Sequence, residues 1–350
     1  LDEVVSPSRA DPASPPRLEA RASAAEGALT ALVALLQPDL EACNRTIVAR
    51  MDSPVALIPQ LAAHIVAAGG KRLRPLLTLA CSRLCGYAGE RHVKLAACVE
   101  FIHTATLLHD DVVDASLLRR GLASANAVFG NQAPVLVGDF LFARAFQLMV
   151  EDGSLIVLGI LSRTAATIAE GEVLQLVTQN DLATSEARYL EVIKGKTAAL
   201  FAAACEVGAV VADRPDPEAA ALAEFGMNLG IAFQLVDDAL DYTADQAVLG
   251  KTVGDDFREG KITLPVLVAY QSGDVADRDF WRRTIEATDQ NEADLDRALH
   301  LMRHCGAIGA TLRRARGFAQ AAKAALAPFP DSAMRRALLD VADYTVDRAR

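Results

Sequence analysis

Phe101-Ile102-His103-Thr104-Ala105-Thr106-Leu107-Leu108-His109-Asp110-Asp111-Val112-Val113-Asp114 runs apolar and then turns abruptly acidic. A second stretch repeats the pattern: Ile231-Ala232-Phe233-Gln234-Leu235-Val236-Asp237-Asp238-Ala239-Leu240-Asp241. Both are patterned for helices, in which residues four apart share a face, so each places two carboxylates one turn apart with a third beside them. At about 6 Å and an effective dielectric near 20, each like-charge pair costs roughly 3 kcal/mol. For one such motif a solvated acidic face is the ordinary explanation. Two copies, each joined to a run apolar enough for a protein interior, point instead to two facing shelves of oxygen ligands. Mg2+ suits them, because it keeps several waters and takes further ligands from a substrate phosphate.

Outward from these stretches the chain reads as helix. Eight of the fourteen prolines precede residue 76, and only Pro134 falls between 76 and 214, which leaves room for long helices. Apolar residues recur at spacings of three and four, as in Val173, Leu174, Leu176 and Val177, without sustained alternation. The expected fold class is all-α, with helix punctuation at Gly69-Gly70, Gly86, Gly121, Gly153, Gly195, Gly208 and Gly226. Residues 1–20 hold Pro7, Pro12, Pro15 and Pro16 with little apolar area, and are expected to be disordered. Residues 21–350 are expected to form one domain. Thr243 to Thr263 breaks the helical pattern at Gly250, Gly254 and Gly260 and reads as a mobile lid beside the second acidic stretch.

A net charge of −10 and a pI near 5.2 argue against nucleic acid as a partner, since phosphate backbones are held by surplus Lys and Arg. The six cysteines form no CxxC pair and sit in apolar surroundings, as reduced thiols do. No uninterrupted apolar run reaches the roughly 18 residues that span a bilayer, so no transmembrane segment is expected; Ala198 to Ala212 is nearest and reads as a buried helix. Leu1-Asp2-Glu3-Val4-Val5 resembles neither a secretory nor a mitochondrial leader, and the expected location is the cytoplasm.

The basic residues act locally. Gly69-Gly70-Lys71-Arg72-Leu73-Arg74-Pro75 gathers three cations at a glycine turn, where backbone amides approach an anion closely. Arg119-Arg120-Gly121 adds two guanidinium forks just beyond Asp114. Gly195-Lys196-Thr197 and Gly250-Lys251-Thr252 mimic the tail of a P-loop, but Leu190 and Asp245 stand where its first glycine belongs. Lys196, Lys251 and Lys261 remain candidate anion contacts. His103, seven residues before Asp110, lies about 20° around the helix and shares its face. His300 and His304 have metal-ligand spacing but no acidic partner nearby in sequence.

Together, Gly69 to Pro75, Leu107 to Asp114 with Arg119-Arg120, Gly138-Asp139-Phe140-Leu141, Lys196-Thr197, Phe233 to Asp238 and Gly260-Lys261-Ile262-Thr263-Leu264-Pro265 resemble, in order and spacing, the trans-polyprenyl diphosphate synthases. The resemblance covers roughly residues 30–350 and implies an isoprenoid-synthase-type helical homodimer around a deep central cavity. It implies that Asp110, Asp111 and Asp114 face Asp237, Asp238 and Asp241, with three Mg2+ ions bridging them to an allylic diphosphate. Asp110, Asp114 and Asp237 resemble direct ligands. Arg119, Lys196, Lys261 and Lys251 would hold the same diphosphate, while Lys71, Arg74, His103 and Arg120 resemble an isopentenyl diphosphate pocket. Lys196, Thr197 and Gln234 would serve the reacting carbon. The implied reaction ionises the allylic C–O bond, joins the double bond of isopentenyl diphosphate to the cation and loses a proton.

The first acidic motif has two residues between Asp111 and Asp114, as in the long-chain branch that makes octaprenyl, solanesyl and decaprenyl diphosphates, the tails of respiratory quinones such as ubiquinone. The resemblance implies a farnesyl diphosphate primer, eight to ten isoprene units and peripheral membrane contact for product release. In this family bulky residues four or five positions before the first aspartate resemble a floor; here they are Thr106 and Ala105, both small, so a deep apolar tunnel is expected. The competing readings are a medium-chain synthase such as one making geranylgeranyl diphosphate, a non-catalytic subunit of a heteromeric synthase, and a cyclase or head-to-head synthase needing no isopentenyl diphosphate.

Overall fold

Two helices apolar on almost every side dominate the interior. In the computed structural model, which describes residues 17–67, 70–119, 121–243 and 253–348, α4 (Arg91–Val113) is buried from Leu95 to Ile102 and again at Ala105 and Leu108. It is enclosed by α1 (Arg17–Arg50), α3 (Leu73–Leu84), α6 (Gln132–Asp152) and α9 (Ala199–Val211). The second inner helix, α10 (Asp216–Leu240), packs on α9, α15 (Ala307–Ala325) and α16 (Ala333–Asp347). Around them lie α2 (Leu57–Ala67), α5 (Ala125–Phe129), α7 (Leu155–Thr178), α8 (Glu186–Ile193), α11 (Asp255–Arg258), α12 (Leu264–Ser272), α13 (Val275–Trp281) and α14 (Asp294–His304). The all-α reading holds. Among the described residues the sole strands are β1 (Leu118–Arg119) and β2 (Leu122–Ala123), a two-residue antiparallel hairpin with Leu118 opposite Ala123.

Several expectations need correction. Gly208 and Gly226 do not punctuate helices but lie inside α9 and α10. A Cβ on Gly226 would stand 2.3 Å from the Phe201 carbonyl oxygen, and one on Gly208 would stand 2.7 Å from the Cys81 Cβ. These glycines permit helices to touch backbone to backbone, a packing demand that local punctuation rules do not see. Gly86 and Gly153, by contrast, do follow helix ends at positive φ. Residues 17–20, expected to be disordered, belong to α1, while 1–16 lie outside the described residues. Finally, α6 and α10 are long and apolar enough to cross a bilayer, with mean hydropathy of 1.5 and 1.4 over their best windows. Requiring an unbroken apolar run missed them, because Asp139 and Arg144 interrupt α6 and Glu224 interrupts α10. About half of each window is buried inside the protein, 44% and 56%, as befits core helices.

Candidate active site

The C-termini of α4 and α10 open on one cavity of about 1140 Å³. Asp110 and Asp114 line it from α4, and Asp237, Asp238 and Asp241 line it from α10. Lys71, Arg74, His103, Thr106, Arg119, Lys196, Thr197, Gln234 and Lys261 share the same wall. Asp111 is not on that wall. It is buried and accepts from Arg119, whose Nε lies 2.9 Å from Oδ1. Ala105 is not there either: it is fully buried in the main core, so the expectation that it walls a tunnel is corrected and Thr106 is left to face the cavity. Thr106, four residues before Asp110, shares its helix face, whereas Ala105 is rotated about 100° from Thr106. Arg120, Lys251 and residues 244–252 of the expected lid lie outside the described residues.

Local structure explains how the lysines arrive. Between α8 and α9 the chain forms a π-helical turn, Lys194–Ala198, a rare widening often found at functional sites. Gly195 backs onto Gly171 of α7; a Cβ on Gly171 would lie 2.4 Å from the Lys196 amide nitrogen. Because neither residue has a side chain, the turn presses flat against α7, and Lys196 and Thr197 reach the cavity. Lys196 Nζ donates to Glu172 at 2.6 Å and lies 3.6 Å from Asp110 Oδ2. Lys261, after α11, donates to Asp114 at 2.9 Å and lies 2.5 Å from Glu259.

The electrostatics follow from crowding in a partly dry cavity. Burial lifts Asp110 above the ordinary carboxylate range and Asp114 adds to it, against the pull of Lys196. Burial likewise pushes Glu172 up to about 7, opposed by Lys196 and reinforced by Asp110 and Asp114. Burial would lower Lys261, but Asp256, Asp114 and Glu259 outweigh it and hold the ammonium above its usual value.

On α10 the partners differ. Asp238 is pushed up to about 7 by burial, and accepts from Tyr189 Oη at 2.5 Å and Gln234 Nε2 at 2.8 Å. Thr197 donates to Gln234 Oε1 at 2.9 Å, so one chain of hydrogen bonds joins Thr197, Gln234, Asp238 and Tyr189. Asp241 accepts the Asp256 amide at 3.1 Å. Asp237 meets Arg348, at 2.8 Å, and that guanidinium also stacks 4.0 Å from the Phe233 ring centre. At the far side Lys71 bonds to Tyr344, and Arg74 lies 3.0 Å from His103 Nε2 and over the Phe201 ring.

Sequence reasoning missed Glu172, Tyr189, Asp256, Glu259, Tyr344 and Arg348. Glu172 carried a signal, an acid in the apolar stretch Val173-Leu174-Gln175-Leu176; Tyr344 and Arg348 belong to no local motif and come from the last helix. His300 and His304 stack on each other at 6.4 Å on an exposed face, and among the described residues no group of three potential ligands forms there.

The helical bundle thus turns two acidic helix ends, two lysines and a separate basic turn toward one cavity. The chain belongs to the polyprenyl synthetase family, whose model matches residues 55–302, and it is a prenyltransferase. It is 48% identical over 316 residues to the octaprenyl diphosphate synthase of Escherichia coli (strain K12), covering 90% of this chain and 98% of that one. It is 42% identical over 318 residues to an all-trans-nonaprenyl-diphosphate synthase (geranyl-diphosphate specific) of Rhodobacter capsulatus, covering 91% and 97%. Among solved structures, a polyprenyl synthase from Caulobacter crescentus complexed with calcium and isoprenyl diphosphate matches with a TM-score of 0.90 at 54% identity, covering 92% of this chain and 98% of that one. A decaprenyl diphosphate synthase from Rhodobacter capsulatus matches with a TM-score of 0.88 at 53% identity, covering 92% and 99%.

Proposed function

We propose that this protein is a Mg2+-dependent long-chain trans-polyprenyl diphosphate synthase, adding isopentenyl diphosphate units to an allylic diphosphate to make the tail of a respiratory quinone. The observation that carries the reading is the one cavity in which lysine-laced acidic helix ends meet the basic turn at Lys71 and Arg74, with Thr106 on its wall four residues before Asp110. The similar octaprenyl, nonaprenyl and decaprenyl synthases support a product of eight to ten units. The donor set fits a hard divalent cation: the acids are all carboxylates, and burial with mutual repulsion leaves Asp110 and Glu172 reluctant to ionise, a cost that a nearby cation relieves. The calcium in the Caulobacter relative supports the same point.

Asp110, Asp114 and Asp237 would hold Mg2+, which when bound supplies positive charge to the departing diphosphate. Lys196 and Lys261 exchange carboxylate partners for phosphate oxygens of the allylic substrate. Lys71, Arg74 and His103 seat isopentenyl diphosphate, and the Thr197–Gln234 pair sets a fixed polar edge beside the reacting carbon. The apolar lining at Leu107, Val192, Ile193 and Phe233 keeps water from the allylic cation.

A homodimer is part of the proposal. α6 exposes Leu136, Phe146 and Val150, and α7 exposes Leu155, Ile156, Val173, Leu176 and Val177, an apolar surface of the kind that a second copy covers.

Purified protein incubated with Mg2+, farnesyl diphosphate and labelled isopentenyl diphosphate should yield chains in the octaprenyl to decaprenyl range; arrest at geranylgeranyl diphosphate, or no uptake, overturns the reading. In the same assay Thr106→Phe should shorten the product, whereas Ala105→Phe, which overpacks a filled core, should lower stability.

A further inference from the structure

A carboxylate lines the cavity where it ought to be unwelcome. Glu100 faces the same space as Lys71, Arg74 and His103, and an acid there repels any diphosphate that those cations attract. Glu100 is 7% exposed and bonds to the Arg72 guanidinium, itself largely buried. Arg72 in turn sits at φ 48° and ψ 35°, the left-handed region that a residue with a Cβ avoids and glycine accepts. That residue caps the start of α3, its carbonyl accepting the Leu76 amide at 3.0 Å. Lys71 precedes it and Arg74 follows it by two.

Glu100 lies three residues before His103 on α4, so one helix face grips the turn at two points: Glu100 on Arg72, and His103 on Arg74. We infer that Glu100 is a positioning residue for the isopentenyl diphosphate pocket: by binding Arg72 it holds the turn in its left-handed form and so aims Lys71 and Arg74 at the diphosphate. This rests on the assignment of Lys71, Arg74 and His103 to that pocket. The pairing also cancels the charge of Glu100, which explains how an acid is tolerated beside an anion site.

The test measures KM for isopentenyl diphosphate and for farnesyl diphosphate separately in the full-length protein. Glu100→Gln should raise the first about tenfold or more, equivalent to ~1.4 kcal/mol, while KM for farnesyl diphosphate and kcat move far less. Arg72→Gly alone keeps the left-handed turn but leaves the Glu100 carboxylate unpaired beside the diphosphate, so it should also raise KM for isopentenyl diphosphate. The double variant Glu100→Gln/Arg72→Gly, which leaves no unpaired buried charge, should recover most of what Glu100→Gln loses, and it carries the same comparison should Glu100→Gln fail to fold. A rise of both KM values together, an unchanged KM in Glu100→Gln, or a double variant as impaired as Lys71→Ala overturns the inference. Lys71→Ala separates the levels: if it raises KM for isopentenyl diphosphate while Glu100→Gln does not, the clamp alone is wrong; if it does not, the pocket assignment fails and the clamp with it.

Discussion

At the end of α4 the acids meet cations: Asp110 faces Lys196, Asp111 is tied to Arg119, and Asp114 to Lys261. At the end of α10 Asp238 takes a phenol and an amide, Asp241 accepts a backbone N–H, and Asp237 meets the Arg348 guanidinium. Two motifs nearly identical as sequence thus have different electrostatics. In the first, lysines lie against Asp110 and Asp114, and in the proposed reaction they would pass to the phosphates of the substrate. In the second, burial leaves Asp238 reluctant to ionise, and it is surrounded by the neutral donors Tyr189 and Gln234. Within the first motif a second division appears, between Asp110 and Asp114, which face the cavity, and Asp111, which braces it from behind.

The most forceful way to break this comparison is substitution of the acids themselves. Asp110→Asn or Asp237→Asn should lower kcat by about 10³-fold, the scale seen when a group stabilising developing charge is lost. Asp111→Asn, which faces Arg119 rather than the cavity, should cost less and act chiefly through KM for the allylic diphosphate. Equal losses in kcat for Asp110→Asn and Asp111→Asn would erase the division between facing and bracing acids.

Tyr189→Phe comes next. It removes one donor from a buried carboxylate, a loss of roughly 1–3 kcal/mol, and should lower kcat as Gln234 loses its fixed orientation while KM for either diphosphate changes little. Thermal unfolding and steady-state kinetics of the same preparation check both halves.

Arg348→Ala should have a milder effect. The guanidinium competes for Asp237, so its removal should lower the Mg2+ concentration giving half-maximal rate by about threefold, a fraction of the 1.4 kcal/mol that a tenfold change represents. An increased Mg2+ requirement would mean that Arg348 helps to hold substrate instead.

The smallest effect sharpens the electrostatics. Glu172 has an ordinary value of 4.5 and is lifted to about 7 by burial, so between these values the folded protein holds a proton that the unfolded chain has released. Stability therefore falls as pH rises through this window and levels off above it. Glu172→Gln, measured as Tm against pH without divalent cations, should flatten that decline; an unchanged slope would show that Lys196 already compensates the charge.

Much of this was legible in the chain because its information is local. Helix periodicity, sparse proline and the spacing of Asp110, Asp114, Asp237 and Asp241 state both the fold class and the acids facing the cavity. What stayed hidden depends on contacts between distant segments. Nothing around Gly226 announces that Phe201 will lie against it, and nothing around Arg348 announces Asp237, more than a hundred positions away. Ala105 was misplaced because neighbours on a helix point in directions about 100° apart, and a family's habit does not specify which of two small residues turns inward.

The lysines at the first acidic motif have a consequence for how the protein comes into being. Lys196 and Lys261 act as built-in counter-ions, quieting Asp110 and Asp114 before any ligand is present. Chains whose structure depends on a metal wait for it in order to fold. With the proposed Mg2+ site, these lysines serve the newly made polypeptide as temporary substitutes for the cation, so maturation would not wait on its supply, and chelation should silence the enzyme without unravelling it.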